Sequence, residues 1–341
     1  MKSKKRIDYI DVLRGIGIIY MILGHINFGM SFDHYIHAFH MPLFFFVTGF
    51  FFNRKQLSFF PFLKKITKQL ICPYLIWGMF FLIFASTTKI GLYTSVSTAI
   101  INLITTNNSG LPIAGALWYL TCFYFSQLIL YFLNKYLKKE ILFGLASMLI
   151  FALGILLHNF NITLWWSIVN SFVAVGLIYF GYLIKKTKLV ERFTNTNIIY
   201  TLLLFVLNYF FIMHTGYVNM RTGSYPNLIM FFFNLLLAIV VYINISKILL
   251  HIKPLTFVTS KIKYIGENSI VSLCLNQFVI VLCNYIFNYF HISSYITNTL
   301  GVPILVYNLF LSMIVISILY LLTRLFMSTK LRILFGKSVS L

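Results

Sequence analysis

Two ionisable residues, Arg14 and His25, lie inside an apolar stretch near the start of the chain. A charged or titratable group in such a stretch is costly and marks a candidate site. Eleven helical steps of about 100° return to within roughly 20° of the starting direction, so both side chains project from one face, roughly 16 Å apart along the axis. Asp11, one turn before Arg14, is placed to pair with it. One helix face thus carries a cation near one end and a titratable imidazole deeper in. An imidazole suits the removal of a proton from a hydroxyl at neutral pH.

A second cluster follows. His37 and His40 are three residues apart, hence on one helical face, and Asp33 and His34 precede them in a short turn. With His25, these groups gather at the mouth of one helical hairpin. No second carboxylate-rich site and no HExxH spacing accompanies them, so the expectation is a polar cavity lining and no metal. His25, Asp33, His34, His37 and His40 are the titratable groups of that mouth.

These residues need a scaffold, and the composition says which kind. Of the 341 residues 60% are hydrophobic and only 10% charged, against about a quarter charged in a soluble domain. Twenty-seven Lys and Arg face six Asp and Glu, a net charge of +21. On a soluble protein that balance would suggest nucleic acid, but a chain this apolar has too little polar surface to spread it over. The reading is a polytopic membrane protein with the bilayer as its partner and no nucleic acid.

Runs long enough to span a bilayer are expected at Ile10 to Met30, Ile36 to Phe52, Leu70 to Phe84, Ala116 to Leu133 and Ile141 to Leu157. Five more are expected at Leu164 to Ile184, Ile198 to Met213, Leu228 to Ile245, Ile270 to Phe290 and Val302 to Leu322. None alternates as a β-barrel strand would. Twenty-four of the 27 cations fall before the first run or after the second, fourth, sixth, eighth and tenth. Lys89 and Arg221 alone occupy the opposite connections, and Arg14 lies within a span. This positive-inside pattern predicts an all-α, single-domain protein over 1–341 with about ten transmembrane helices and both termini cytoplasmic.

The basic start and first apolar run are expected to stay as the first helix, because the run is too long and holds Arg14 and His25. Cys72, Cys122, Cys274 and Cys283 lack CxxC spacing and read as packing residues. The longest irregular stretch, about Thr87 to Gly115 with Thr105-Thr106-Asn107-Asn108-Ser109-Gly110, reads either as a lid over a site or as a plain loop.

Several segments carry a resemblance. Ile7-Asp8-Tyr9-Ile10-Asp11-Val12-Leu13-Arg14-Gly15-Ile16, followed by Leu23-Gly24-His25, looks like the opening of the membrane acyltransferase-3 family, with Arg and His separated by ten residues. His40-Met41-Pro42-Leu43-Phe44-Phe45-Phe46 is similar to that family's second helix, in its fucose 4-O-acetylase-like branch of surface-polysaccharide O-acetyltransferases. Pro73-Tyr74-Leu75-Ile76-Trp77, Leu117-Trp118-Tyr119-Leu120 and Ile265-Gly266-Glu267-Asn268-Ser269-Ile270 resemble later family segments. One departure stands out: where many members carry a late histidine, this chain has Asn276.

The resemblance implies a membrane O-acetyltransferase of a bacterial-type plasma membrane. It would move an acetyl or other short acyl group from cytoplasmic acyl-coenzyme A, as co-substrate, to a hydroxyl of a surface carbohydrate or lipid-linked sugar. Arg14, with Lys64, Lys65 and Lys68, would hold the phosphates of the donor; for the three lysines the positive-inside rule is an equally good explanation. The pantetheine arm, roughly 15 to 20 Å long, is comparable to the Arg14 to His25 separation along the helix. The acceptor hydroxyl would give its proton to His25 as general base, with His40 or Asp33 orienting it or the acceptor and His37 on the acceptor side; Trp118 and Tyr119 would stack on sugar rings. The competing reading is a transporter or flippase for a lipid-linked sugar or small molecule, although no internal repeat of the transporter kind is visible. Oligomeric state is not legible.

Overall fold

The computed structural model describes residues 7–54, 58–91, 95–105, 111 and 113–338. Lys2, Lys4, Lys5, Arg6, Lys55 and the 106–110 stretch of the expected lid or loop lie outside these described residues. The described chain is all-α: helices connected by turns, with a single isolated bridge between Asn219 and Ser224 and no strand among the described residues.

The elements in order are α1 (Asp8–Ile26), α2 (Met30–His37), α3 (His40–Phe51), α4 (Phe59–Ile66), α5 (Cys72–Thr88), α6 (Val96–Thr105), α7 (Trp118–Tyr136) and α8 (Glu140–Asn159). They continue with α9 (Ile168–Lys186), α10 (Leu189–Phe193), α11 (Ile198–Met213), α12 (Leu228–His251), α13 (Thr256–Glu267), α14 (Ser269–Tyr289), α15 (Ile292–Ser294) and α16 (Ile304–Ser328). Among the described residues seven helical stretches are long and apolar enough to cross a membrane: Asp8–Ile26, Phe59–Thr88, Glu140–Asn159, Trp165–Lys186, Leu228–His251, Ser269–Tyr289 and Ile304–Ser328. Each overlaps an expected span. The other three expected spans correspond to the α2–α3 pair, to the 19-residue α7 and to the 16-residue α11.

Three differences from the sequence reading have local causes. The expected second span is broken at Ala38 and Phe39, where Phe39 leaves helical geometry at φ −141°. Pro42 has no N–H to give to the Ala38 carbonyl, so a helix running through from α2 would lose a bond there, whereas the first turn of a new helix needs none. The expected third span extends well upstream: α4, a π-helical turn (Thr67–Ile71) and α5 form one stretch of 30 residues. The π turn accommodates Pro73, which lacks the N–H that would close onto Gln69. The expected irregular connection contains α6, held to α5 by a hydrogen bond from the Tyr74 hydroxyl to the Leu103 carbonyl at 2.6 Å.

Without a hydrophobic drive between helices in lipid, close backbone packing must hold them together, and small residues permit it. A Cβ on Gly49 of α3 would strike the Ile178 carbonyl of α9, and one on Gly181 would strike the Phe46 carbonyl in return. A Cβ on Gly266 of α13 would strike the Asp11 carbonyl of α1. These contacts clamp α1 and α3, the two helices that carry the candidate site. Large apolar side chains such as Leu149, Ile199 and Met313 are exposed on α8, α11 and α16, while Asn170, Asn208, Asn244 and Asn276 are fully buried. Apolar outside and polar inside is the arrangement a bilayer demands.

Contacts between distant connections sort the two ends of the bundle. At the Arg14 end of α1, Lys263 pairs with Asp8 at 2.7 Å, Lys247 lies over the Tyr9 ring, and Arg54 bonds Asn134 at 3.0 Å. At the His25 end, the Tyr217 hydroxyl donates to Asp33 at 2.7 Å and the Asn308 amide donates to the Asn27 carbonyl at 2.9 Å.

Candidate active site

Residues Arg14, Ile18, Met21 and His25 follow one another at four-, three- and four-residue steps along α1, which is one face of a helix. Two cavities open along that face. The first, about 660 Å³, is lined by Arg14 and Ile18, by Phe44, Thr48 and Phe51 of α3, by residues of α7 from Tyr119 to Asn134, by Leu273 of α14 and by Lys65 and Gln69. The second, about 430 Å³, is lined by Met21 and His25, by His37, His40, Met41 and Trp118, by Gln277 of α14 and by Asn219 to Thr222. The same four helices, α1, α3, α7 and α14, wall both. Ile18 and Leu120 of the first lining, and Met41 and Trp118 of the second, are nearly inaccessible.

In the first cavity Arg14 pairs with Asp11 at 3.4 Å and lies 5.3 Å from the centre of the Phe51 ring. A guanidinium is the side chain whose planar fork matches a carboxylate or phosphate. Lys65 and the side-chain amides of Asn53, Gln69, Gln127 and Asn134 supply further polar lining. Lys64 and Lys68 are exposed and line neither cavity. Arg54 is engaged at the end of α7, where it bonds Asn134 and Leu137 and lies 4.5 Å from the Phe143 ring centre.

In the second cavity the histidines have distinct settings. His40 Nδ1 lies 2.8 Å from the Ile36 carbonyl, an acceptor, so Nδ1 carries the proton and Nε2 holds the lone pair of the neutral ring. His37 Nδ1 likewise faces acceptors on Asp33, the carbonyl at 3.0 Å and the carboxylate at 3.1 Å. Asp33 therefore orients His37, and it lines neither cavity. His25 keeps accessible surface, and its Nδ1 stands 3.5 Å from the amide nitrogen of Gln277, at the outer limit of a hydrogen bond. The Gln277 carbonyl oxygen accepts from Gly115 N–H at 2.6 Å, which fixes which end of the amide turns to His25. Trp118 lines the His25 cavity and Tyr119 the Arg14 cavity, so adjacent residues serve the two chambers. Among the described residues no three His, Cys, Asp or Glu converge as metal ligands.

The site therefore places a cation-bearing chamber and an imidazole-bearing chamber in line along one helix face. Such an arrangement can hold an elongated anionic molecule in one chamber and abstract a proton in the other. The model of the acyltransferase-3 family, described as an acyltransferase domain, matches residues 7–322. The chain belongs to this family. Comparison with curated proteins and with solved structures returned no match. Every residue lining the two cavities of this membrane acyltransferase falls within the matched span.

Two features of the acyltransferase site were not singled out from the sequence. Arg221 lies in the His25 cavity, carried there by the connection between α11 and α12, and burial lowers its pKa from the usual arginine value. Its one sequence signal was its position against the positive-inside rule. Gln277 is the second. Its neighbour Asn276, at the position of the late histidine of many relatives, is fully buried, donates to the Ser272 and Leu273 carbonyls of its own helix and lines neither cavity.

Proposed function

We propose that this membrane acyltransferase is an O-acetyltransferase of a bacterial-type plasma membrane, taking an acetyl or other short acyl group from acyl-coenzyme A to a hydroxyl of a surface carbohydrate or lipid-linked sugar. The observation that carries the proposal is the shared α1 face, with Arg14 in one cavity and His25 in the next. The Arg14 end is the cytoplasmic end, consistent with the cations that gather there. The donor's phosphates bind Arg14 and Lys65, and its thioester reaches past Ile18 and Met21 towards His25.

In the transfer step the acceptor oxygen attacks the thioester carbonyl carbon while His25 takes the hydroxyl proton. The tetrahedral adduct collapses, the C–S bond breaks, and the departing thiolate recovers the proton from His25. The long Gln277 contact at Nδ1 is one that an incoming hydroxyl can replace. His40 and His37 line the same chamber as polar walls for the acceptor.

The test is mass analysis of surface glycans from cells lacking the gene, complemented with the unaltered protein, Arg14→Ala or His25→Ala. O-acylation should vanish on deletion and return only with the unaltered protein. O-acylation unchanged by deletion would overturn the proposal.

A further inference from the structure

Gln277 lies on α14 with its amide held at both ends. Leu273, Cys274 and Ile280, its neighbours along the same helix face, are buried, which turns this side of α14 inward. The Gln277 carbonyl oxygen accepts the Gly115 N–H at 2.6 Å, in the turn that leads into α7. That turn is itself fixed: Ile113 is buried at φ +56°, and the Leu117 N–H donates to the Ala114 carbonyl at 3.0 Å. With its oxygen engaged there, the amide presents Nε2 to His25 Nδ1, 3.5 Å away.

Gly115 is part of the seat. An ideal Cβ on it would fall 2.8 Å from Gln277 Nε2 and 3.0 Å from Gln277 Oε1, so the amide lies against bare backbone. An amide nitrogen donates and does not accept, whereas a neutral imidazole has one donor nitrogen and one acceptor nitrogen. The Gln277 amide therefore matches one of the two neutral forms of His25, with the lone pair on Nδ1 and the proton on Nε2. His40 and His37 are set the other way, their Nδ1 atoms facing acceptors on Ile36 and Asp33. Three histidines line one cavity, and His25 is the one whose Nδ1 faces a donor.

We propose that Gln277 is a positioning residue that sets the tautomer of His25, so that Nδ1 is the atom that takes the acceptor proton. This rests on the reading of His25 as the base of an acyl transfer to a hydroxyl. An incoming hydroxyl replaces the amide at Nδ1, and its proton moves to that lone pair as its oxygen attacks the thioester carbon. A ring carrying its proton on Nδ1 would turn an N–H towards the same hydroxyl and could not take the proton there. Asn276 next to it cannot stand in, because its amide donates to carbonyls of its own helix.

The test uses the full chain in lipid nanodiscs, its histidines labelled with the heavy nitrogen isotope, at about pH 8, where an ordinary imidazole is neutral. Nitrogen NMR separates protonated from unprotonated ring nitrogens, and the His25 signals are those missing from His25→Asn. His25 Nδ1 should be unprotonated in the unaltered protein. Gln277→Met removes the donor and should leave both tautomers populated, whereas Gln277→Glu puts an acceptor in its place and should bring the proton to Nδ1. In Gln277→Met kcat should fall by about 2- to 10-fold, because only part of the population is then competent. In Gln277→Glu it should fall by at least about 100-fold, as a wrongly placed ring proton disables a base. Coenzyme A affinity should not move, because Gln277 lines the His25 cavity and not the Arg14 cavity. A proton on Nδ1 in the unaltered protein, or ring signals that stay in place in either variant, would overturn the proposal. The ring is read without turnover, so acyl transfer that survived His25→Ala would remove the base assignment and leave the tautomer result standing.

Discussion

Arg14 and His25 leave α1 on the same face, yet each opens into its own cavity, Arg14 beside Ile18 and His25 beside Met21. On the proposed function, donor binding and proton transfer take place in separate chambers along one helix. Substitutions at the two residues should then fail in different ways.

His25→Ala should reduce acyl transfer by about 10²- to 10⁴-fold, the usual contribution of a positioned base. Coenzyme A affinity should be unchanged within error, because the Arg14 cavity does not include His25. Free-thiol release during turnover, measured beside calorimetric titration with coenzyme A, checks both parts. A parallel loss of affinity would mean that His25 holds the donor.

Arg14→Ala should do the reverse at the donor step, weakening coenzyme A binding by about 10- to 100-fold as a hydrogen-bonded charge is lost. Arg14→Lys should recover only part, because an ammonium lacks the planar fork. Titration with coenzyme A, run beside dephospho-coenzyme A, gives the answer. An equal effect of the substitution on the dephospho form would show that the 3′-phosphate is not the group Arg14 binds.

The face bearing Arg14 and His25 was legible because helical periodicity is a local rule and because both residues are conspicuous in an apolar run. The division of that face into two chambers was not, since it depends on how α3, α7 and α14 pack against it. The break at Phe39 escaped for a similar reason: the apolar run continues unbroken through it, and only Pro42 marked the new start. Asp33 was expected near the base but is tied to His37 and Tyr217, a partnership made by a connection 184 residues away. Arg221 was visible only as a cation on the wrong side of the charge pattern, since nothing in sequence reveals that a turn folds inward.

Glycines on α1 and α3 give a contrast that depends on geometry alone. Gly49→Ala places a methyl against the Ile178 carbonyl, which is backbone and cannot rotate away. Overpacking of that kind should cost about 1–3 kcal/mol and lower the unfolding temperature. Gly24→Ala, next to His25, meets nothing nearer than Ile36 Cγ2 at 3.8 Å and should leave stability unchanged or raised. Thermal unfolding in one lipid composition compares the pair, and equal losses would contradict the α3–α9 packing.

Tyr217 supplies a pH signature. Burial, then its hydrogen bond to Asp33, pushes its hydroxyl up from 10.0 to about 12. The folded state therefore retains this proton longer than the unfolded chain, and the stability it contributes is fully present below pH 10. It is lost as pH rises from about 10 to about 12. Tyr217→Phe should be less stable at pH 8 and should flatten the fall across that alkaline window. Unfolding midpoints of both proteins that decline in parallel would show that Tyr217 does not titrate in this way.

Asn170 tests the turn that carries Asn219 to Thr222 into the His25 cavity, because it donates to the Met220 and Arg221 carbonyls without lining either cavity. Asn170→Ala removes the donor to two carbonyls at a nearly inaccessible point, which should cost about 1–3 kcal/mol of stability. If the turn then loosens, the acceptor KM should rise while kcat and coenzyme A affinity change little. Asn170→Asp cannot donate when ionised and should behave like Ala, whereas Asn170→Gln can rescue part of the effect if its longer amide reaches the same carbonyls. A stability loss with no movement of the acceptor KM would reduce Asn170 to a packing role and leave Arg221 positioned by its own turn.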